Sequence, residues 1–211
     1  MNIIEKYDKQ FVYLSVVLNI MLAVQAYFLW SNPTLKDTDK IYTIAILVGF
    51  EFFMVHSGVF MAVLPKKASL FIFFPLYGLF ALAINSMAEG NTILYMYLIV
   101  VFQRMRFAFL DASKGLKNKA IGIAVYAAII WFFLIFIILF NKDKIPYLAL
   151  NKEYLILSGF VNKHSIGVFT EEPHVAMAFA IVYYLFLALT EYNFTKSYIK
   201  NPKRFDDMVL K

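Results

Sequence analysis

The chain has 211 residues, 62% of them hydrophobic and only 16% charged, with 23 Phe and 14 Tyr, a balance outside that of a soluble domain. Its formal net charge is +6, yet the Lys and Arg residues fall between apolar runs instead of gathering on a soluble surface, which argues against nucleic acid as a partner. The absence of cysteine excludes disulfides, iron–sulfur clusters and thiolate zinc sites, so any metal must be held by His and carboxylate.

Apolar runs of about 20 residues recur along the chain, each long enough to cross a hydrocarbon layer of roughly 30 Å. In chain order they predict membrane-spanning helices over 11–30, 41–64, 69–87, 91–110, 121–141 and 174–195. The mixed-charge start MNIIEKYDKQ leads into the first run without a small-residue cleavage site, so that run is expected to be a retained helix and not a signal peptide. Breakers and charges punctuate the runs at Ser31-Asn32-Pro33, Pro65-Lys66-Lys67, Glu89-Gly90-Asn91 and Asn141-Lys142-Asp143. Pro75 lies inside the third run and is expected to kink it, because proline deletes a backbone donor and clashes with the preceding turn. The runs are too long and too continuously apolar for barrel strands. The expected fold is all-α: a polytopic integral membrane protein in which 1–211 form a single transmembrane domain, a six-helix bundle.

Counting Lys and Arg on the two sides that alternating spans define puts 14 with the two termini, the 65–68 turn and the 104–120 region, against 6 on the other side. Both termini are therefore expected in the cytoplasm, in a cytoplasmic or inner membrane, with the lipid bilayer as the first partner. Tyr13, Trp30, Tyr42, Tyr192 and Tyr198 stand at span ends, where aromatic rings anchor to headgroups. Residues 142–173 make a long outer loop whose part from Tyr147 to Val161 is too short and too polar to span, so it should lie on the interface or cap the bundle. No internal repeat is found, since nothing in 121–140 matches Glu51 and His56 of the second run.

Those two residues are the sharpest chemical signal. Glu51 falls about 15 Å into the second span and His56 about 7 Å further, too deep for either to reach water cheaply. A charge at that depth costs about 2.5–3.5 kcal/mol on insertion scales, so Glu51 must face protein or water, be paired, or be protonated. The side chains diverge by about 140° and look into adjacent clefts. They read either as a polar knot between helices or as a relay or ligand site. Gln103, Arg104 and Arg106, at the depth of His56 in the fourth span, can snorkel to headgroups or turn inward as a cationic floor. Glu191 in the sixth span is a second acid, either available to them or interfacial. Asn19, Gln25 and Asn85 read as interhelical hydrogen bonders.

Outside the spans, His164, Glu171, Glu172 and His174 could supply ligands to zinc or another borderline divalent ion, but their spacing matches no zinc signature and no metal or other cofactor is assigned. The competing reading makes Thr170 the cap of the last helix, with Glu171, Glu172 and Pro173 in its first turn. Phe52-x-x-x-His56 and Glu171-Glu172 superficially resemble motifs of the glutamate-dependent CAAX-processing membrane proteases. Ala176 stands where that family has an arginine and the motif order is reversed, which excludes membership. The functional expectation is binding or passage of a small solute, ion or proton through a polar intramembrane cavity. The alternatives are a membrane-embedded metal-assisted enzyme and a non-catalytic subunit of a larger complex.

Overall fold

A computed structural model describes residues 3–63, 66–87, 90–91, 93–95, 97–99, 113–163 and 167–207, with side chains from 5–54, 67–68, 71–87, 90–91, 93–95, 97–99, 113–163 and 167–207. Every regular element among these residues is helical. The main ones are α1 (Ile3–Ser31), α2 (Thr38–Val63), α3 (Phe74–Asn85), α4 (Lys114–Phe140), α5 (Lys152–Leu157), α6 (Pro173–Lys200) and α7 (Pro202–Asp206). Three stretches among the described residues, Glu5–Ser31, Lys114–Phe140 and Pro173–Lys200, are long and apolar enough to cross a membrane, and Phe71–Asn85 is a shorter apolar helix. Length and composition together mark a membrane helical protein.

The helices outrun the apolar runs that announced them. α1 begins at Ile3 instead of 11, α4 at Lys114 instead of 121, and α6 continues to Lys200 instead of 195. Hydropathy marks only the part that would lie in hydrocarbon, whereas helical hydrogen bonding continues through polar residues until a breaker intervenes. α1 holds neither Gly nor Pro and stops just before Asn32-Pro33; α6 has its proline at the first position and stops at Asn201-Pro202. Asn201 then accepts from the Arg204 amide at 3.4 Å and starts α7. The disturbance expected at Pro75 takes the form of a π-helical stretch, Ser69–Phe73, immediately ahead of α3.

α6 runs through the middle. In its apolar window 67% of residues are buried, against 28% in α1 and 22% in α4, so α6 is surrounded while its neighbours keep one face outward. Alanines make this possible: Ala176, Ala178, Ala180 and Ala188 of α6, Ala23 and Ala26 of α1, and Ala124 and Ala127 of α4 are all buried and let the backbones approach. At Gly122 the approach is closest, since a Cβ there would come within 2.6 Å of the Phe194 ring. The outward faces carry large apolar side chains, among them Leu14, Met21 and Phe28 on α1 and Phe132, Phe133 and Phe140 on α4, an exposed surface suited to lipid.

The two bundle ends are closed differently. At the terminal end, where α1 and α4 begin and α6 finishes, Glu5 accepts from the Ser113 amide at 2.6 Å and Asn118 donates to the Phe205 carbonyl at 2.6 Å. The first turns of α1, the start of α4 and α7 therefore meet at one end of the bundle. At the loop end, the segment after α4 folds over α1 and α2 as a cap: Trp30 donates to the Pro146 carbonyl at 3.1 Å, Tyr154 to the Thr34 carbonyl at 2.8 Å, and Thr38 to the Ser158 carbonyl at 3.1 Å. Leu150 and Phe160 are the buried pegs of this cap. Phe160 packs edge-on against Tyr42, so Tyr42, expected as a headgroup anchor, is instead buried beneath the cap.

The turn leading into α2 is held by one acid. Asp37 accepts from the Thr34 amide and hydroxyl at 3.0 and 2.7 Å and pairs with Lys40 at 2.7 Å. The Lys40 ammonium, followed by the Thr34 donors, lowers its carboxyl from the ordinary 3.8 to about 2. The stabilisation is complete above the ordinary value and is lost as pH falls from about 4 toward 2. The protection of the 34–40 amides in detergent, measured against their intrinsic exchange rates, should fall across that window, and Asp37→Asn should remove the step while lowering the protection at neutral pH.

Candidate functional site

Glu51 stands 13 residues into α2, about 20 Å from its start. Val48, Phe50 and Met54 around it are at most 2% exposed, and Glu51 itself is 3% exposed. This apolar setting makes isolation of the carboxylate costly, and α6 answers it with two adjacent phenols. Tyr184 donates to Oε1 at 3.3 Å and Tyr183 to Oε2 at 3.5 Å. Both distances are long for hydrogen bonds, so each is weak by itself; together they engage both oxygens. The tyrosines are set by packing, with Phe179 against Tyr183 at 5.7 Å and Trp131 of α4 against Phe179 at 5.8 Å between ring centroids. His56 belongs to the next turn of α2, where side chains are not described, and Gln103, Arg104 and Arg106 lie outside the described residues. The cationic floor expected beneath Glu51 thus falls outside them too.

Glu191 is partly buried. It sits at the seam between α6 and α1, accepting from Ser15 at 2.9 Å and Asn19 at 3.3 Å. Ser15 and Asn19 are one helical turn apart, which lets two side chains of α1 reach one carboxylate. Asn19 therefore makes the interhelical bond expected of it. Asn85 shapes a turn instead: it donates to the Gly90 carbonyl at 3.1 Å and accepts from the Leu94 amide at 3.1 Å. Gln25 is exposed.

Among the described residues, the most deeply buried charge was invisible in the sequence. Lys119, counted there with the cytoplasmic basic residues, is 1% exposed and forms an ion pair with Asp8, itself 6% exposed. The Lys119 ammonium also lies 5.2 Å from the centre of the Tyr198 ring, where the ring's negative face favours a cation. The residues are 111 apart in sequence; the available signal was an acid in the first turns of the first helix and a lysine at the start of the fifth apolar run.

The second group of candidates meets at the loop end. Glu172 is the residue before α6 and pairs with Lys142 at 2.5 Å; the neighbouring carboxylate holds the Lys142 ammonium above the ordinary lysine value. Thr170 does not cap α6. Its hydroxyl donates to the Gly167 carbonyl within the separate turn Val168–Glu171, because the chain breaks at Glu172 before Pro173 opens the long helix. His174 is 1% exposed, with Nδ1 unpartnered and its ring 4.1 Å from that of Tyr147. Glu171 is exposed and His164 lies outside the described residues; among those described, no three His, Cys, Asp or Glu side chains gather as metal ligands.

A cavity of about 230 Å³ opens on the other side of α2, lined by Gly49, Phe50 and Phe53, by Ile84 and Met87, and by the 167–170 turn. A Cβ on Gly49 would meet nothing within 4 Å. This cavity is apolar and Glu51 does not line it, since its carboxylate points to the tyrosines. No family model, characterised protein or solved structure matches the chain. The chemistry must therefore be read from the groups themselves: one acid beneath two phenols, a second acid on neutral donors, and an ion pair closing the terminal end.

Breaking that ion pair from one side strands a buried charge, which typically costs about 3–5 kcal/mol, whereas removing both charges in similar volume is often nearly neutral. Lys119→Met is therefore expected to lower the unfolding temperature in detergent sharply, and Asp8→Leu together with Lys119→Met to recover most of the loss. A double variant as unstable as the single would show that the pair is not what secures this end.

Proposed function

We propose that this is an inner-membrane protein of six crossing helices, with both termini cytoplasmic, that binds or passes a small solute, ion or proton, and that Glu51 is its titrating group. The observation that carries this reading is the placement of an acid at 3% exposure in the middle of a bundle helix, touched by two phenols of the central helix. An intramembrane ionisable residue of this kind marks a pathway or ligand site by default, because its insertion cost has to be met by some benefit. The phenols suit the role, since a tyrosine hydroxyl can stay hydrogen-bonded to the carboxylate in either protonation state, donating to the anion or accepting from the acid. His56, Gln103, Arg104 and Arg106 are proposed as the rest of the polar cluster on the terminal-end side of Glu51.

Reconstituted in vesicles, Glu51→Gln is expected to abolish pH-dependent flux while leaving the helical content and unfolding temperature close to those of the parent. Flux unchanged in that variant would remove Glu51 from the function.

The crossing number is directly measurable because the chain has no cysteine, so single cysteines report without background. On intact cells a membrane-impermeant maleimide should label substitutions at Lys36, Gly90 and Lys144 and spare those at Lys6, Lys67 and Lys203. Labelling of Lys67 and Gly90 from the same side would reduce the count below six.

A further inference from the structure

Four polar residues of α6 recur at intervals of seven, four and three: Tyr184, Glu191, Thr195 and Tyr198. At 100° per residue they fall within an arc of about 60°, a single stripe that climbs about 21 Å. Asp8, Ser15 and Asn19 of α1 are spaced by seven and four and form a matching stripe on the helix packed against it. The contacts join the two stripes into one line. Glu51 touches Tyr184; Glu191 touches Ser15 and Asn19; Lys119 joins Asp8 and lies over the Tyr198 ring. At the terminal end Glu5 and Asp206 bring two more carboxylates to the mouth, Glu5 on the Ser113 amide and Asp206 within 2.7 Å of the Cβ position of Gly115.

Thr195 stands between these groups, and it is the anomaly. It is 1% exposed and its hydroxyl has no hydrogen-bond partner among the described residues. A buried hydroxyl left unsatisfied costs about 1–3 kcal/mol, and in native proteins such groups are met by ordered water. One turn above it is the Glu191 carboxylate; one turn below is Tyr198 with the Lys119–Asp8 pair. A water held by Thr195 would have polar neighbours in both directions.

We propose that this stripe is a proton track from the terminal end of the bundle to Glu51, running by way of Asp8 and Lys119, a water on Thr195, Glu191 and Tyr184. This rests on the reading of Glu51 as the titrating group and names the proton as what reaches it. Each hop passes a proton from one oxygen or nitrogen to the lone pair of the next, so Tyr184 gives its proton to Glu51 and regains one from the Glu191 side. Val12, Ala23 and Ala26 of α1 and Leu187 and Ala188 of α6 are all buried along the seam and offer no side-chain ligand to a metal ion. Leu187 and Ala188 also form its one apolar interval, about 10 Å of helix between Tyr184 and Glu191. That step requires a short chain of transient waters, each passing one proton on as it accepts another, and is expected to limit the rate.

The decisive variant is Thr195→Val, which keeps the shape and removes a hydroxyl that has no partner among the described residues. The full-length protein is placed in phosphatidylcholine–phosphatidylglycerol vesicles loaded with a pH-sensitive dye, and proton flux is driven by a valinomycin-clamped potassium gradient. Thr195→Val and Glu191→Gln are expected to slow flux at least about tenfold, Thr195→Val without lowering the unfolding temperature, and Thr195→Ser to restore it. Wild-type flux in both slow-track variants, with Glu51→Gln inactive, would overturn the track and leave the role of Glu51 standing. Normal flux in Glu51→Gln would overturn the underlying reading. A Thr195→Val protein that loses flux and thermal stability together would make the residue a packing element and overturn the relay, and a wild-type protein no more conductive than empty vesicles would overturn the proton as the species carried.

Discussion

A helix enclosed on most of its circumference must find an internal partner for nearly every polar side chain it carries, and α6 carries many. Its tyrosines meet Glu51 of α2, its glutamate meets Ser15 and Asn19 of α1, its tyrosine near the terminal end meets Lys119 of α4, and the acid just before it meets Lys142. Each neighbouring long helix thus supplies a group that α6 needs. This matching does what apolar packing alone cannot, because an Ala- and Leu-rich surface is nearly as comfortable one residue out of register. A one-residue slip of α6 rotates its stripe by about 100° and would turn both tyrosines from Glu51 and Glu191 from α1. The polar contacts select among packings that the small residues merely permit.

The two ends use different means to the same result. At the loop end the cap inserts apolar pegs, Leu150 and Phe160, and is tied to α1 and α2 by hydrogen bonds to carbonyls from side chains and from the Ala149 amide. At the terminal end charged groups are taken inside, Lys119 with Asp8, and α7 returns to bond Asn118 through the Phe205 carbonyl. Both ends carry ion pairs, and they differ in burial: Lys142 and Glu172 at the loop end are part-exposed, whereas Lys119 and Asp8 at the terminal end are withdrawn from solvent.

Much of this architecture was legible because hydrocarbon permits little else. Apolar runs of about 20 residues require helices, Asn32-Pro33 requires a stop, and an acid flanked by Phe50 and Phe52 requires a partner. Glu51 was therefore found from sequence as a buried acid, and Asn19 as a bond between helices. What could not be read was who meets whom. Tyr183 and Tyr184 lie 132 and 133 residues from Glu51, and Asp8 and Lys119 lie 111 apart; nothing local distinguishes a lysine that snorkels from one that turns inward. Thr170 misled for a related reason: a threonine followed by two acids and a proline is a good cap locally, but the cap over the bundle ends in its own turn at Glu171 and shifts the start of α6 to Pro173.

The choice between glue and relay for the buried acids can be argued on magnitude. Hydrogen bonds between membrane helices contribute about 0.6 to 2 kcal/mol each, and Asn or Gln can make them in neutral form. A carboxylate near the centre of a crossing helix costs about 2.5–3.5 kcal/mol before any partner is counted. A glutamine at position 51 would keep contact with the two phenols at a lower insertion cost. A helix that needed only register would gain more from the amide. The proposed proton track gives this arrangement a use: an acid at position 51, a second seven residues beyond its tyrosine partner on α6, and a hydroxyl one turn further are all groups able to hold or pass a proton.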